Sequence, residues 1–172
     1  MADNTALQDL LIDAFGRIHQ LVGSVTDGID EATLTHRPDP DANTVAWLIW
    51  HLTRIQDDHV AGLAGEEQVW TAAGWADRFE LPFDRSDTGY SHSTEDVGAV
   101  RASAELLRGY HEAVNAATER YLATVDDAEL ERVVDEHWDP PVTASVRLVS
   151  VISDCLQHLG QAAYVKGLAE RA

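Results

Sequence analysis

The sequence predicts an all-α protein, a four-helix bundle with a long aromatic-rich loop between its second and third helices. Apolar residues recur at spacings of three and four along four separate stretches, the signature of amphipathic helices. No run alternates apolar and polar residues over a convincing strand length. The breaks between the stretches carry proline, glycine and capping residues. At 172 residues the chain is long enough to bury a real core, and one domain spanning 1–172 is expected.

The first helix follows from Leu7, Leu10, Leu11, Ala14, Phe15, Ile18, Leu21 and Val22, with Gly23 ending it or opening the connection. Pro38 and Pro40 force an extended link. Asn43 or Thr44 caps the second helix, which runs through Trp47, His51 and Ile55 to about Leu63, with Gly65 as its stop. Trp47, Leu48, His51, Ile55 and Asp58 share one face of it. Residues 66–93 hold Trp70, Trp75, Phe79, Phe83 and Tyr90 among glycines, a proline and aspartates, without periodicity. They read as a long loop with room for one short helix; loops of that length are uncommon in compact domains and often functional. Ser93-Thr94-Glu95-Asp96 opens the third helix in capping-box style, and the pattern continues to about Val125. Asp126 to Leu130 has room for one more turn. Trp138-Asp139-Pro140-Pro141 is a rigid approach to the last helix, which Thr143 caps and which ends near Gly167.

Composition excludes several functions. The 30 acidic and 12 basic residues give a formal net charge of −18, a surface that repels phosphate backbones, so no nucleic acid is expected as a partner. No apolar run is long enough to span a membrane, and no basic cluster invites an anionic one. The start of the chain lacks a signal-peptide pattern, so a cytoplasmic location is expected. The single cysteine, Cys155, allows no internal disulfide.

The chemistry concentrates in Asp154-Cys155-Leu156-Gln157-His158-Leu159-Gly160-Gln161. Positions four apart on a helix lie above one another, so Asp154 and His158 can grip one small target together. Carboxylate and imidazole are metal-ligand types. Two ligands from one helix make a weak site, and His51, on the apolar stripe of the second helix, is the candidate third. A lone histidine on such a stripe is more often a core residue; the Asp154/His158 pair reverses that preference. Two nitrogens and one oxygen leave positions open for water or substrate, as in catalytic centres. Zinc, nickel and ferrous iron all suit the set. Cys155 is turned about 100° from Asp154 and reads as a small core residue. Asp58 suits a pocket rim, holding a water or a basic substrate group. His111 is a further candidate for the interior, and His59 reads as a surface or supporting group. His19 and His92 have no evident partner in the sequence.

Trp47-Leu48-Ile49-Trp50-His51-Leu52 and His158-Leu159-Gly160-Gln161-Ala162-Ala163-Tyr164 resemble the DinB superfamily, and within it the mycothiol-dependent transferases. Gly74-Trp75-Ala76-Asp77-Arg78-Phe79, Thr88-Gly89-Tyr90 and Trp138-Asp139-Pro140-Pro141-Val142-Thr143 resemble the same branch. The resemblance implies a four-helix bundle of DinB type and a divalent metal held by three histidines. His51 and His158 match two of these; Asp154 stands where the family has the third. The residue is then either a ligand or a group that orients His158 or a bound water. The resemblance further implies that the metal activates a thiol, mycothiol or a similar low-molecular-weight one, for attack on an electrophilic small molecule. Trp47, Trp75 and Gln161 are the candidate substrate-binding residues, Gln161 serving equally well to close a helix contact. The alternatives are a metal-dependent hydrolase, with Asp58 or His111 as base, and a non-catalytic stress-response or binding protein. A homodimer through an exposed apolar helix face fits any of them.

Overall fold

A computed structural model of the chain describes residues 5–171, whose regular structure is helical apart from one short two-stranded ribbon. In order the elements are α1 (Thr5–Thr26), α2 (Glu31–Leu34), α3 (Val45–Ala64), α4 (Val69–Ala72), α5 (Trp75–Phe79), α6 (Thr94–Ala99), α7 (Ala104–Leu122), α8 (Asp127–Glu131), β1 (Val133–Asp135), β2 (Val142–Thr143) and α9 (Ala144–Ala169). The four long helices pack around one another: α3 lies against α7 and α9, and α1 against the same two. Gln8, near the start of α1, donates to the carbonyls of Ala123 and Val125 just beyond the end of α7, so α1 and α7 run antiparallel.

Helix α3 is central. Its start is fixed by Thr44, whose hydroxyl accepts from Trp47 N, and its end by Gly65 in the left-handed region. Every residue from Val45 to Asp57 is buried, the pattern of a helix enclosed on all sides. Its polar residues therefore need internal partners. Thr53 Oγ1 donates to Ile49 O and meets His111 of α7. Gln56 donates to Thr118 of α7. The Asp57 carboxylate accepts from Val69 N, Trp70 N and the Tyr110 hydroxyl, which pins α4 and α7 to α3. Burial raises the Asp57 pKa, and those three donors pull it back. Arg54 donates to Asp87 O, Gln68 and Tyr110 and lies over the Trp70 ring.

Four expectations need correction. The third helix is not continuous: the chain leaves it at Val100, which is extended, and restarts at Ser103, whose side chain caps α7 at Leu106 N. Ser93 and Ser103 are two competing start signals, and both are used. The segment before α9 is not merely a rigid approach, because β1 and β2 pair antiparallel there, Val133 opposite Thr143. Two strands of three and two residues are too short to leave an alternating pattern. Finally, Gly23 does not end α1, which continues to Thr26 and is closed by the Thr26 hydroxyl on Val22 O. Residues 66–93 hold two short helices, α4 and α5, rather than one.

His111 is fully buried, stacked on His19 at 5.6 Å between ring centroids. Burial, and then the charge of His19, hold its pKa down at about 3. Between that value and 6.5, the value for an unperturbed histidine, the unfolded chain binds a proton that the folded one does not. Stability from this residue is therefore complete above that window and falls as pH drops, by up to ~1.4 kcal/mol per pH unit. Urea unfolding at pH 7 and pH 5 should show a loss that is clearly smaller in His111→Gln.

Candidate metal centre

His51 comes from the middle of α3, Asp154 and His158 from adjacent turns of α9, and the three meet where these helices pack. Each offers one ligand atom, and those atoms lie within 4.8 Å of one another. His158 Nε2 is 3.6 Å from Asp154 Oδ1. His51 is 5% exposed, whereas the side chains of His158 and Asp154 are 18% and 33% exposed, so the cluster has a dry wall and an open mouth.

The hydrogen bonds set the tautomers. His51 Nδ1 lies 2.5 Å from the carbonyl oxygen of Thr88. A carbonyl only accepts, so Nδ1 carries the proton and Nε2 keeps its lone pair. His158 Nδ1 lies 2.9 Å from Gln161 Oε1 and is held the same way. Both imidazoles thus present Nε2, with the opposite nitrogen tied to an oxygen acceptor, the arrangement that orients metal-binding histidines. Asp154 Oδ2 is buried without a hydrogen-bond partner. Ligands about 2.1 Å from a tetrahedral ion stand ~3.4 Å apart, so the cluster needs to close by about an ångström to grip one. The donor set, the two free Nε2 atoms and the orphaned carboxylate oxygen fit a divalent cation. Burial lowers the His51 pKa and keeps the ring neutral. The Asp154 carboxylate, 3.6 Å from its Nε2, raises that of His158.

The sequence reading missed the segment that holds His51. Asp87 Oδ1 accepts from Gly89 N, and Asp87 Oδ2 lies 3.1 Å from His92 Nε2. His92 Nδ1 accepts from the Trp47 indole at 3.1 Å. The Trp47 ring in turn stacks on His51, with centroids 4.6 Å apart and planes at 13°. Gly89 has φ +92 and passes so close that a Cβ there would stand 2.8 Å from His51 Nδ1. Thr88-Gly89-Tyr90 was visible as a motif, but nothing in its residue types announces that a backbone carbonyl is the working group.

The other candidates spread out. Trp47 is 6% exposed and its only polar atom is spent on His92, so it offers the site an apolar wall. Gln161 Oε1 lies 2.9 Å from His158 Nδ1. Trp75 packs on Tyr110 and under Arg78, and no ring contact joins it to His51 or His158 among the described residues. Asp58 Oδ1 is taken by Gln68 Nε2 at 2.7 Å, and its other oxygen faces His59 at 3.5 Å. His111 lies on the α1–α7 side with His19. Cys155 is fully buried, its thiol donating to Leu52 O, and burial raises its pKa far above the ordinary thiol value.

Helices enclosing a His-Asp-His cluster with one open side define the class: a helical protein with a candidate metal centre between two of its long helices. The chain matches the family model for mycothiol-S-transferase over residues 7–170, and it belongs to that family. It is also similar to a conserved protein of Enterococcus faecalis whose crystal structure is solved. The two are 31% identical with a TM-score of 0.87, over 100% of this chain and 99% of that one. No curated protein matches. Among the described residues no helix is long and apolar enough to cross a membrane.

Gly89→Ala should cost ~1–3 kcal/mol, through a disfavoured φ and a close approach to His51 Nδ1, Trp50 and Trp47. Gly65→Ala, also at positive φ but in open space, is the control and should cost less. Thermal denaturation of the two variants side by side reads the difference.

Proposed function

We propose that this chain is a metal-dependent transferase that conjugates mycothiol, or a similar low-molecular-weight thiol, to an electrophilic small molecule. The observation that carries the reading is the pair of imidazoles, each with Nδ1 tied to an oxygen acceptor and Nε2 free beside Asp154. His51, Asp154 and His158 would hold the ion. A divalent cation at such a centre lowers the pKa of a coordinating thiol, so that thiolate forms at neutral pH. Thr88 and Gln161 keep both rings in register. Trp47 covers one face of His51 and excludes water there. The half-exposed side, at Asp154, is where thiol and electrophile enter. On this reading α1, α3, α7 and α9 are the four-helix bundle of DinB type, residues 1–172 are one domain, and the protein works in the cytoplasm. The metal-dependent hydrolase is the weaker alternative: it needs a free base at the centre, yet His111 sits with His19 and Asp58 is engaged by Gln68.

The test is metal content by elemental mass spectrometry, paired with conjugation of mycothiol to a fluorogenic alkyl halide. Near-stoichiometric metal and conjugation in the natural chain, both lost in His158→Ala, are expected. An absence of metal after incubation with zinc, nickel and iron, or conjugation that outlasts the metal, overturns the reading.

We also infer a homodimer through the outer face of α9. From Val146 to Tyr164 every exposed residue of that helix is uncharged, in a chain of net charge −18. Val146, Val149, Leu156 and Tyr164 are 53%, 63%, 43% and 67% exposed. Two like-charged copies meet most cheaply across a face without charge, and a two-fold contact uses the same patch twice. Light scattering should report a dimer that Val149→Glu with Leu156→Glu converts to a folded monomer.

A further inference from the structure

Three residues on one stripe of α3, namely Trp47, His51 and Arg54, are each held by the chain between Asp87 and His92. Their spacings of four and three put them on successive turns of one face. Arg54 takes the Asp87 carbonyl, His51 the Thr88 carbonyl and Trp47 the His92 ring, so the segment runs along the helix in the opposite direction and touches it at each turn. The first two contacts use backbone atoms of the segment, which any residue would supply. The third uses a side chain. His92 is therefore the point at which the alignment of His51 depends on residue type.

The chemistry of that contact is restrictive. An indole N–H only donates, so the His92 Nδ1 that meets Trp47 Nε1 at 3.1 Å is an unprotonated acceptor. The ring proton then sits on Nε2, which the Asp87 carboxylate approaches to 3.1 Å. The angle there is outside that of a formed hydrogen bond, so the attraction is one of charge for a polar N–H. It favours the one tautomer able to accept from Trp47. The opposite tautomer would set two N–H groups head to head. The His92 ring is also boxed in: it stacks on Trp50 at 5.7 Å, packs on Phe83 at 4.5 Å, and directly precedes Ser93, the cap of α6. Trp47 carries this constraint to His51, because its ring lies over the imidazole with the planes 13° apart.

We propose that His92 is a positioning residue of the candidate metal centre. By accepting from Trp47 it fastens the 87–92 segment to α3, and so keeps the Thr88 carbonyl on Nδ1 of His51 and the Trp47 ring over its face. Nε2 of His51 is thereby aimed at Asp154 and His158. Asp87 supports the role by holding His92 in the accepting tautomer. Groups that orient a metal-binding imidazole from behind set the affinity of the site. The inference rests on the centre assigned in the thiol-transfer reading, but the alignment of His51 can be observed without a metal.

The experiment uses the full chain labelled with nitrogen-15 and free of metal. It reads the His51 Nδ1–H resonance, assigned by its loss in His51→Ala. In the natural chain the Thr88 carbonyl should protect that proton from exchange. In His92→Phe, which keeps the ring packing but leaves the Trp47 donor without an acceptor, the resonance should broaden or vanish. His92→Asn returns an acceptor to the place of Nδ1 and should restore it. In Trp47→Phe, where the donor is gone, adding His92→Phe should change nothing further. Cobalt(II) titration, read by visible absorption, should show affinity about tenfold or more weaker in His92→Phe, with most of it recovered in His92→Asn. Gly65→Ala is the control for lost stability and should bind cobalt as the natural chain does. An unchanged His51 resonance in His92→Phe, a further loss of the same size in the Trp47→Phe background, or equal weakening of cobalt binding in Gly65→Ala overturns the proposal. A natural chain that binds no cobalt counts against the thiol-transfer reading alone, and the His51 resonance then decides this one.

Discussion

From Val45 to Asp57 helix α3 has no wet side, and the rest of the structure answers to that. A polar side chain enclosed in protein must find a partner or cost about 1–3 kcal/mol. Thr53, Arg54, Gln56 and Asp57, within little more than one turn of α3, are such side chains, and each finds a partner on another segment. Thr53 and Gln56 reach α7. Asp57 gathers α4 and Tyr110. Arg54 takes Gln68 and the Asp87 carbonyl. The buried Arg54 and Asp57 approach within 3.8 Å, and removing either leaves the other charge with less compensation, the costly way to break a buried pair. These polar contacts do what apolar packing cannot: they fix which loop residue stands opposite which helix turn.

That registration reaches the candidate centre. Arg54 holds the carbonyl of Asp87, and the next carbonyl along the chain, that of Thr88, holds His51. One residue further, Gly89 gives the backbone room to pass the imidazole. A candidate ligand on the stiff central helix is thus aligned by a segment with no regular structure, itself anchored one helical turn away on the same helix. The other two candidate ligands need no such help, since Asp154, His158 and Gln161 lie along one side of α9 and align one another.

Much of this was legible in the residues. Thr44 and Gly65 mark the ends of α3, and Thr143 marks the start of α9, because capping is local chemistry. The His51, Asp154 and His158 grouping was readable because two of the three share a helix and the third sits on a helix face. The break between α6 and α7 was hidden by an apolar pattern that runs through it, and only the cap at Ser103 distinguishes the two helices. The ribbon of β1 and β2 is too short for periodicity to record. The alignment of His51 by Thr88 was out of reach, since every residue has a carbonyl and no side chain betrays its use. Which of the two neighbouring aspartates is structural could not be read from type either: Asp57 is buried and threefold bonded, while Asp58 is half-exposed.

The lone thiol of the chain has a further meaning. A protein that brings reactive carbon compounds beside an activated sulfur risks being alkylated itself. Cys155 adjoins Asp154 in the sequence, yet it points into the core, fully enclosed, with its hydrogen on the Leu52 carbonyl and its ionisation suppressed by burial. A reagent at the mouth of the candidate centre would meet carboxylate and imidazole, while the protein's own sulfur stays enclosed. Under the proposed thiol-transfer activity, this burial would confer immunity on the protein, which could meet electrophiles turnover after turnover without consuming itself.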